Sequence, residues 1–299
     1  MFYPEIINTK KYIGGYGMNE TLELLNNRGS VRSFTKQEVS NDTLKAIINA
    51  GCHSATAGNL QPYSIIEIRS SEQKEALMAT GVMQPIVRSA PVSLLFVIDW
   101  HRIEVWAKDN HAPFTVKDGY RHFWIGFQDT IIAAQNICTA ADSLGLGSVY
   151  LGTVESCIDE LKPMFDLPDG TFPIVIVSLG YPTKQPLVAP KLMYEDIVHK
   201  EKYQKIDLEQ LNKAMDKKYT RNTPLTAKNI ETLYDVTKDV DGEDSAKKAV
   251  NYAKDLGKIH TAQRYFGLHY MANWSRTGNK KFLDSLRLYG YSFVDGIEY

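Results

Sequence analysis

Residues 129–151 read Asp129-Thr130-Ile131-Ile132-Ala133-Ala134-Gln135-Asn136-Ile137-Cys138-Thr139-Ala140-Ala141-Asp142-Ser143-Leu144-Gly145-Leu146-Gly147-Ser148-Val149-Tyr150-Leu151. Phe127, Ile131, Ala134, Cys138 and Ala141 recur every three or four residues, the period of a helix with one apolar face. The pattern reaches back to residue 120, so a helix is expected over 120–144. Ala133, Ala134, Ala140 and Ala141 are small enough to let another element come close. Gly145 follows the last periodic residue and stops the helix. Residues 148–151, and later 174–179, are short apolar runs of the kind that form buried strands.

Upstream, Ser40 precedes Leu44, Ile47 and Ile48 at helical spacing, a capped helix start, with Gly51 as its C-terminal cap. A polar loop of small residues follows over 54–59. Residues 63–68 and 92–98 read as strands and 72–78 as a short helix. Helices and strands interleave, which argues for a layered domain of sheet and helices. Beyond residue 200 the strands vanish. Residues 207–219, 227–237, 245–257 and 282–288 look helical, and 239–244 (DVDGED) reads as an exposed acidic turn. The expected organisation is therefore a domain over 1–200 and a helical extension over 201–299. That extension would pack on the core or on a second copy of the chain.

The 299 residues carry 34 basic and 35 acidic side chains, a net charge of −1. Such a balance lacks the electrostatic footprint of a nucleic-acid binder. Up to residue 199 there are 16 basic and 21 acidic residues; from 200 onward there are 18 and 14, so the last hundred residues are basic. The three cysteines, Cys52, Cys138 and Cys157, have no CxxC spacing and make a poor disulfide framework. Cys52 and Cys138 lie in helix-like apolar stretches and are expected to be buried thiols. The opening MFYPEIINTKKY has no apolar core of a signal peptide, and no apolar run approaches the ~20 residues of a membrane span. A soluble cytoplasmic protein is expected.

Several familiar motifs are absent. Gly145-Leu146-Gly147 is not a dinucleotide fingerprint, because the third glycine would fall at Tyr150 and the pattern precedes a strand. No GxxxxGK[ST], HExxH or GxSxG occurs. Asp99 with His101, and His111 with His122, have no recognised metal-ligand spacing and are expected to be ordinary polar residues.

Three pieces remain that could hold a ligand. Arg28, Ser30 and Arg32 fall at alternate positions around Gly29. On an extended segment they point the same way, as a phosphate monoester would require. The loop Ala55-Thr56-Ala57-Gly58-Asn59-Leu60-Gln61 joins helix to strand. Its small residues admit a flat ligand, and the amides of Asn59 and Gln61 suit a heterocycle edge. Tyr150-Leu151-Gly152-Thr153 ends a strand, where ligands often meet open sheets. Each piece alone is equally readable as a surface turn, an ordinary loop, or a strand running into a glycine.

Taken together, in order and spacing, the pieces resemble the FMN-dependent nitroreductase family. Its opening pattern is like RxSxRxF, here Arg28, Ser30, Arg32 and Phe34. Ala55 to Tyr63 resembles its PSAxNxQPW signature, with alanine and threonine in place of the first two residues. Asp129, Ala133, Gln135, Asn136, Ala140, Ala141 and the run from Leu144 to Gly147 follow its central helix. Gly180-Tyr181-Pro182 matches its GxP, and Pro190-Lys191 its late basic residue. Ala189 stands where a second basic residue is common. Tyr219-Thr220-Arg221 is similar to a nucleotide-binding segment of the larger, NADPH-preferring subgroup.

The resemblance implies an α+β fold: a three-layer sandwich with a central mixed, mainly antiparallel sheet flanked by helices and followed by a helical C-terminal extension. It implies FMN as cofactor and NADPH or NADH as reductant. The reaction would be ping-pong hydride transfer to nitroaromatics, quinones or flavins, with no catalytic acid, nucleophile or metal. Phosphate binding would fall to Arg28, Gly29, Ser30, Arg32 and Lys191. The flavin ring would lie against Ala55, Thr56, Ala57, Asn59, Gln61, Tyr150, Leu151, Gly152 and Thr153, and Arg221 would read NADPH. The family's intertwined homodimer would draw one site from two chains, with the long small-residue helix in the dimer core. Another reading is a non-redox flavin- or nucleotide-binding module whose C-terminal helices bind a partner.

Overall fold

Strand β2 (Val92–Asp99) is buried along its whole length and organises the molecule. It lies between β1 (Tyr63–Ile68) and β4 (Thr171–Gly180), and β3 (Gly147–Leu151) completes the order β1-β2-β4-β3, with every strand pair antiparallel. The computed structural model describes residues 19–274 and 277–297; the opening stretch read above for a signal peptide lies outside them. The register of β2 on β4 shifts between Phe96↔Val175 and Val97↔Pro173, leaving Ile174 without an opposite residue. This bulge re-phases β4, so that Phe172 and Val175 face the same side although three apart.

On one face Leu94, Phe96, Val175, Val177 and Leu179 pack against α2 (Asn41–Cys52) and α6 (Tyr120–Ser143) through Leu44, Ile47, Ala134, Ile137, Cys138 and Ala141. Leu95 and Val97, pointing to the other face, are also fully buried. The sheet is thus covered on both sides, which is why β2 is an unbroken apolar run rather than an alternating one.

Local chemistry places the remaining helices. Helix α1 (Glu20–Asn26) starts at Asn19, whose side chain accepts from the Leu22 N–H. Ser40 caps α2 through the Thr43 N–H, and Ser70 caps α3 (Ser71–Ala79) through the Gln73 N–H. A short α4 (Ile86–Ser89) precedes β2. Gly51 is not a cap. It is buried inside α2, and a Cβ there would stand 2.4 Å from Ile137 Cγ1. The residue is glycine because α2 and α6 touch. One residue on, Cys52 is exposed rather than buried, since the helix face has turned to solvent at its end. Phe127, read as part of the apolar face of α6, is 38% exposed.

The stretch after β2 forms α5 (Trp100–Asp109). Asp99 caps it, accepting from the Arg102 N–H. The ring of His122 lies edge-on to Trp100. Among the described residues no group of three His, Cys, Asp or Glu is placed to hold a metal ion.

The chain divides into two units. The first comprises the described residues up to 188 together with 285–297, including α7 (Ile158–Met164) and the last turns of the chain. Tyr289 and Tyr291 are fully buried in it: the Tyr289 hydroxyl donates to the Ile158 carbonyl and that of Tyr291 to the Gly170 carbonyl. Phe123, Phe172, Tyr289 and Tyr291 form an edge-to-face cluster with centroids near 5.3 Å.

The second unit, 189–284, is helical: α8 (Tyr194–Ile197), α9 (Leu208–Lys218), α10 (Ala227–Asp241), α11 (Glu243–Asp255) and α12 (Thr261–Gln263), then α13 (Asn279–Leu288), which leads back to the first unit. Leu233, Ala253 and Ile259 form its core. The acidic turn expected over 239–244 shrinks to Gly242, because α10 continues through Asp241. Among the described residues no helix is long and apolar enough to cross a membrane.

Candidate functional site

The segment before Phe34 runs beside β3. Val31 N–H donates to the Ser148 carbonyl, and Ser30 and Ser148 form a parallel bridge. Gly147 is required there, since a Cβ would meet Val31 Cγ2 at 2.2 Å. This contact brings Arg28 to the C-terminal end of α6, where a cavity of about 190 Å³ is lined by Arg28, Gly29, Asp142, Gly145, Pro182 and Gln185. Ser30 and Arg32 do not join Arg28 in lining it, and Arg32 is exposed. The three residues therefore do not all line this cavity.

Inside this corner the Nε and Nη2 atoms of Arg28 are buried and find no hydrogen-bond partner, nor do the hydroxyls of Ser148 and Tyr150. Burial lifts the Asp142 carboxyl to about 6, against the attraction of the Arg28 guanidinium. Burial likewise pushes the Cys138 thiol and the Tyr150 phenol up, and Arg28 opposes both shifts. A fixed, partly buried cation with unused donors suits a bound anion. Asp142 was not singled out from sequence. The available signal was a carboxylate near the end of a helix otherwise apolar on that side.

The second piece lies elsewhere on α6. The Ala57 N–H donates to both oxygens of Asp129 at 3.1 and 3.3 Å. Asp129 is buried, which raises its pKa, and this hydrogen bond lowers it. The loop is held in a demanding shape: Gly58, Asn59 and Gln61 all have φ between 50° and 60°. Such backbone in non-glycine residues persists only where the surroundings fix it. Gln61 donates to the Cys52 carbonyl, and Arg102 donates to the carbonyls of Gln61 and Tyr63. Ala55, Ala57, Gly58 and Asn59 are exposed, and the buried Thr56 hydroxyl has no partner.

Asp129 and Asp142 stand thirteen residues apart on one helix, about 20 Å at 1.5 Å per residue. The Arg28 corner and the 55–61 loop are separated accordingly. The third piece, at the end of β3, has Leu151 buried and Thr153 half-buried against Met83, while a Cβ on Gly152 would meet nothing. Lys191 and Arg221 are exposed residues of the second unit.

An antiparallel sheet packed against α2 and α6, a partly buried arginine with unused donors and a small-residue loop with three positive-φ residues characterise this α+β domain. Residues 25–181 match the family model described as the nitroreductase family, and the chain belongs to that family. It is 32% identical over 194 residues to the NADPH-flavin oxidoreductase of Vibrio harveyi, covering 65% of this chain and 79% of that protein. It is 31% identical over 232 residues to an FMN reductase (NAD(P)H) of Bacillus subtilis, covering 73% and 93%. The solved NADPH:FMN oxidoreductase of Vibrio harveyi, complexed with NAD+, superposes with a TM-score of 0.62 at 29% identity, over 80% of this chain and 98% of that one.

Proposed function

We propose that the chain is an FMN-dependent oxidoreductase that takes reducing equivalents from NAD(P)H and passes them to nitroaromatics, quinones or flavins. The observation that carries this reading is the guanidinium of Arg28, partly buried with two N–H groups unused, in a corner whose sequence matches the family's phosphate-binding pattern. Arg28, with the backbone of Gly29 and Ser30, would hold the phosphate; Arg32 would add charge. Ala55, Thr56, Ala57, Asn59 and Gln61 would line the ring. Leu151, Gly152 and Thr153, following Tyr150, would offer backbone N–H groups to it. Bound FMN would supply the hydride acceptor and donor.

The protein's task is then to bind and orient. Asp129 fixes the loop through Ala57, Arg102 fixes Gln61, and the exposed Gly152 leaves room for a flat group. No side chain needs to move a proton.

The enzyme acts as a homodimer in this reading. The two halves of the site lie about 20 Å apart along one helix, so a partner chain's loop would complete the corner that Arg28 begins. Tyr120, Trp124 and Phe127, spaced four and three residues apart, leave an apolar stripe exposed on α6, as an unmet interface would. Arg221, in the basic second unit, would select NADPH over NADH through its 2′-phosphate.

The visible spectrum of the purified protein tests the core of the proposal. Bound flavin should bleach anaerobically on adding NADPH. Bound flavin that responds to neither nicotinamide would refute the reductase reading in favour of a binding module. Arg221→Ala should raise KM for NADPH far more than for NADH at unchanged FMN content; an unaltered preference removes Arg221 from that role.

A further inference from the structure

The cavity at the end of α6 holds two ionisable groups, and the reading above gives a task to only one of them. Among the described residues that line it, Arg28 and Asp142 alone can carry charge. They are not joined as an ion pair. The guanidinium acts on the carboxyl only as a nearby charge, and its Nε and Nη2 stay without a partner. A cavity of about 190 Å³ is a few ångströms across, so an anion held there by Arg28 also lies against Asp142.

The surroundings of Asp142 oppose a negative charge. It is the last residue but one of α6, where the free carbonyls of the helix end already carry a partial negative charge. One turn earlier on the same helix, Cys138 is fully buried and its thiol stays protonated. On β3, the Tyr150 phenol beside Arg28 is likewise kept neutral by burial. From the α1 side come Leu24 and Asn27, and from the segment after β4 come Pro182 and Gln185, none of them charged. Glu23 and Lys184, their neighbours in the chain, do not line the cavity. Arg28 is thus the one cation in it.

A phosphate monoester carries about −1.5 to −2 charge near neutral pH. With Asp142 ionised, two anions would share one guanidinium in a small, partly buried space, where repulsion exceeds that in water. Protonated, the same carboxyl turns from an acceptor into a donor and can give its O–H to a phosphate oxygen.

We propose that Asp142 enters the site as a carboxylic acid, donating its O–H to the bound phosphate beside Arg28, so that binding FMN takes one proton up from solvent and releasing FMN returns it. This rests on the reading of the Arg28 corner as the phosphate site and adds to it a second binding residue. Without the ligand, burial lifts the Asp142 carboxyl to about 6. A phosphate beside it favours the protonated form and raises that value further. Affinity is therefore complete below about pH 6 and falls as the pH rises above it. The second ionisation of FMN's own phosphate, also near pH 6, has the opposite effect, since Arg28 prefers the dianion.

The test is titration of the full chain, freed of flavin, with FMN from pH 6 to pH 8, followed by flavin fluorescence. Calorimetry at pH 7 in two buffers of different ionisation heat counts the protons. Wild type should bind FMN about tenfold more weakly for each pH unit above 6, as long as the bound acid keeps its proton. Asp142→Asn keeps a donor without a charge, and it should show neither that loss nor the proton uptake. Riboflavin, which lacks the phosphate, should bind wild type without proton uptake, a comparison that needs no variant. Equal uptake by wild type and Asp142→Asn, or with FMN and riboflavin, overturns the proposal and leaves Arg28 as the phosphate ligand. Wild-type affinity that rises with pH overturns it as well. If Arg28→Met binds FMN as tightly as wild type does, the phosphate lies elsewhere, and the proposal falls together with the reading it rests on.

Discussion

Replacing Arg28 with methionine should move two quantities in opposite directions. Methionine keeps much of the length and packing volume and removes the guanidinium. In the structure, Nε and Nη2 of Arg28 are buried without a hydrogen-bond partner in the protein. An unsatisfied buried polar group costs about 1–3 kcal/mol, so the apo form should gain about 2 kcal/mol. For a unit of this size that is roughly 4–8 °C in melting temperature. The measurement belongs at pH 5, where Asp142, lifted to about 6, is mostly neutral and scarcely misses its counter-charge. Flavin affinity should fall, because hydrogen bonds to a charged group are worth about 1.5–3 kcal/mol, some tenfold to a hundredfold each. Calorimetric melting of the apo protein and fluorescence titration with FMN give the two numbers. A variant whose apo form melts lower, or whose FMN affinity matches wild type, would refute the view that this guanidinium is held in reserve for an anion.

Gly51→Ala should destabilise by about 1–3 kcal/mol despite alanine's better helix propensity, because the new methyl meets Ile137 at 2.4 Å in a full core; thermal melting checks the sign. Asp142→Asn should stabilise the apo protein increasingly as pH rises from 4 to 7. The folded pKa of Asp142 lies above its unfolded value, so the stability tied to its proton is complete below about pH 4 and lost through pH 6. A melting difference between variant and wild type that stays constant over that range would contradict the assignment. A homodimer with two-chain sites should retain flavin only when assembled, and sedimentation of a fully flavinylated monomer at micromolar concentration would exclude it.

Much of the fold was legible from local pattern. Strand β1 spans residues 63–68 as read, and α6 runs 120–143 within a residue of its expected end. Both follow from periodicities that involve only near neighbours, and the match to the nitroreductase family rests on motifs equally local. What failed were judgements about which side of an element meets what. Gly51 looks like a cap, and only the approach of Ile137, far along the chain, makes it a packing glycine. Arg28 and Arg32 look alike in sequence, yet β3 pairs with Val31 so that Arg28 lines the cavity and Arg32 is left exposed. Asp129 and Asp142 are two carboxylates on one helix, and each acquired its task from a distant partner: the Ala57 N–H for one, the guanidinium of Arg28 for the other. The return of Tyr289 and Tyr291 to the first unit, under Phe123 and Phe172, has no local signature at all. Hydrophobic period and turn chemistry set what each segment becomes, because they act within a few residues. Burial, pKa and the sharing of a site depend on contacts between residues far apart in sequence, 72 residues for Ala57 and Asp129, and those were decided only by the packed chain.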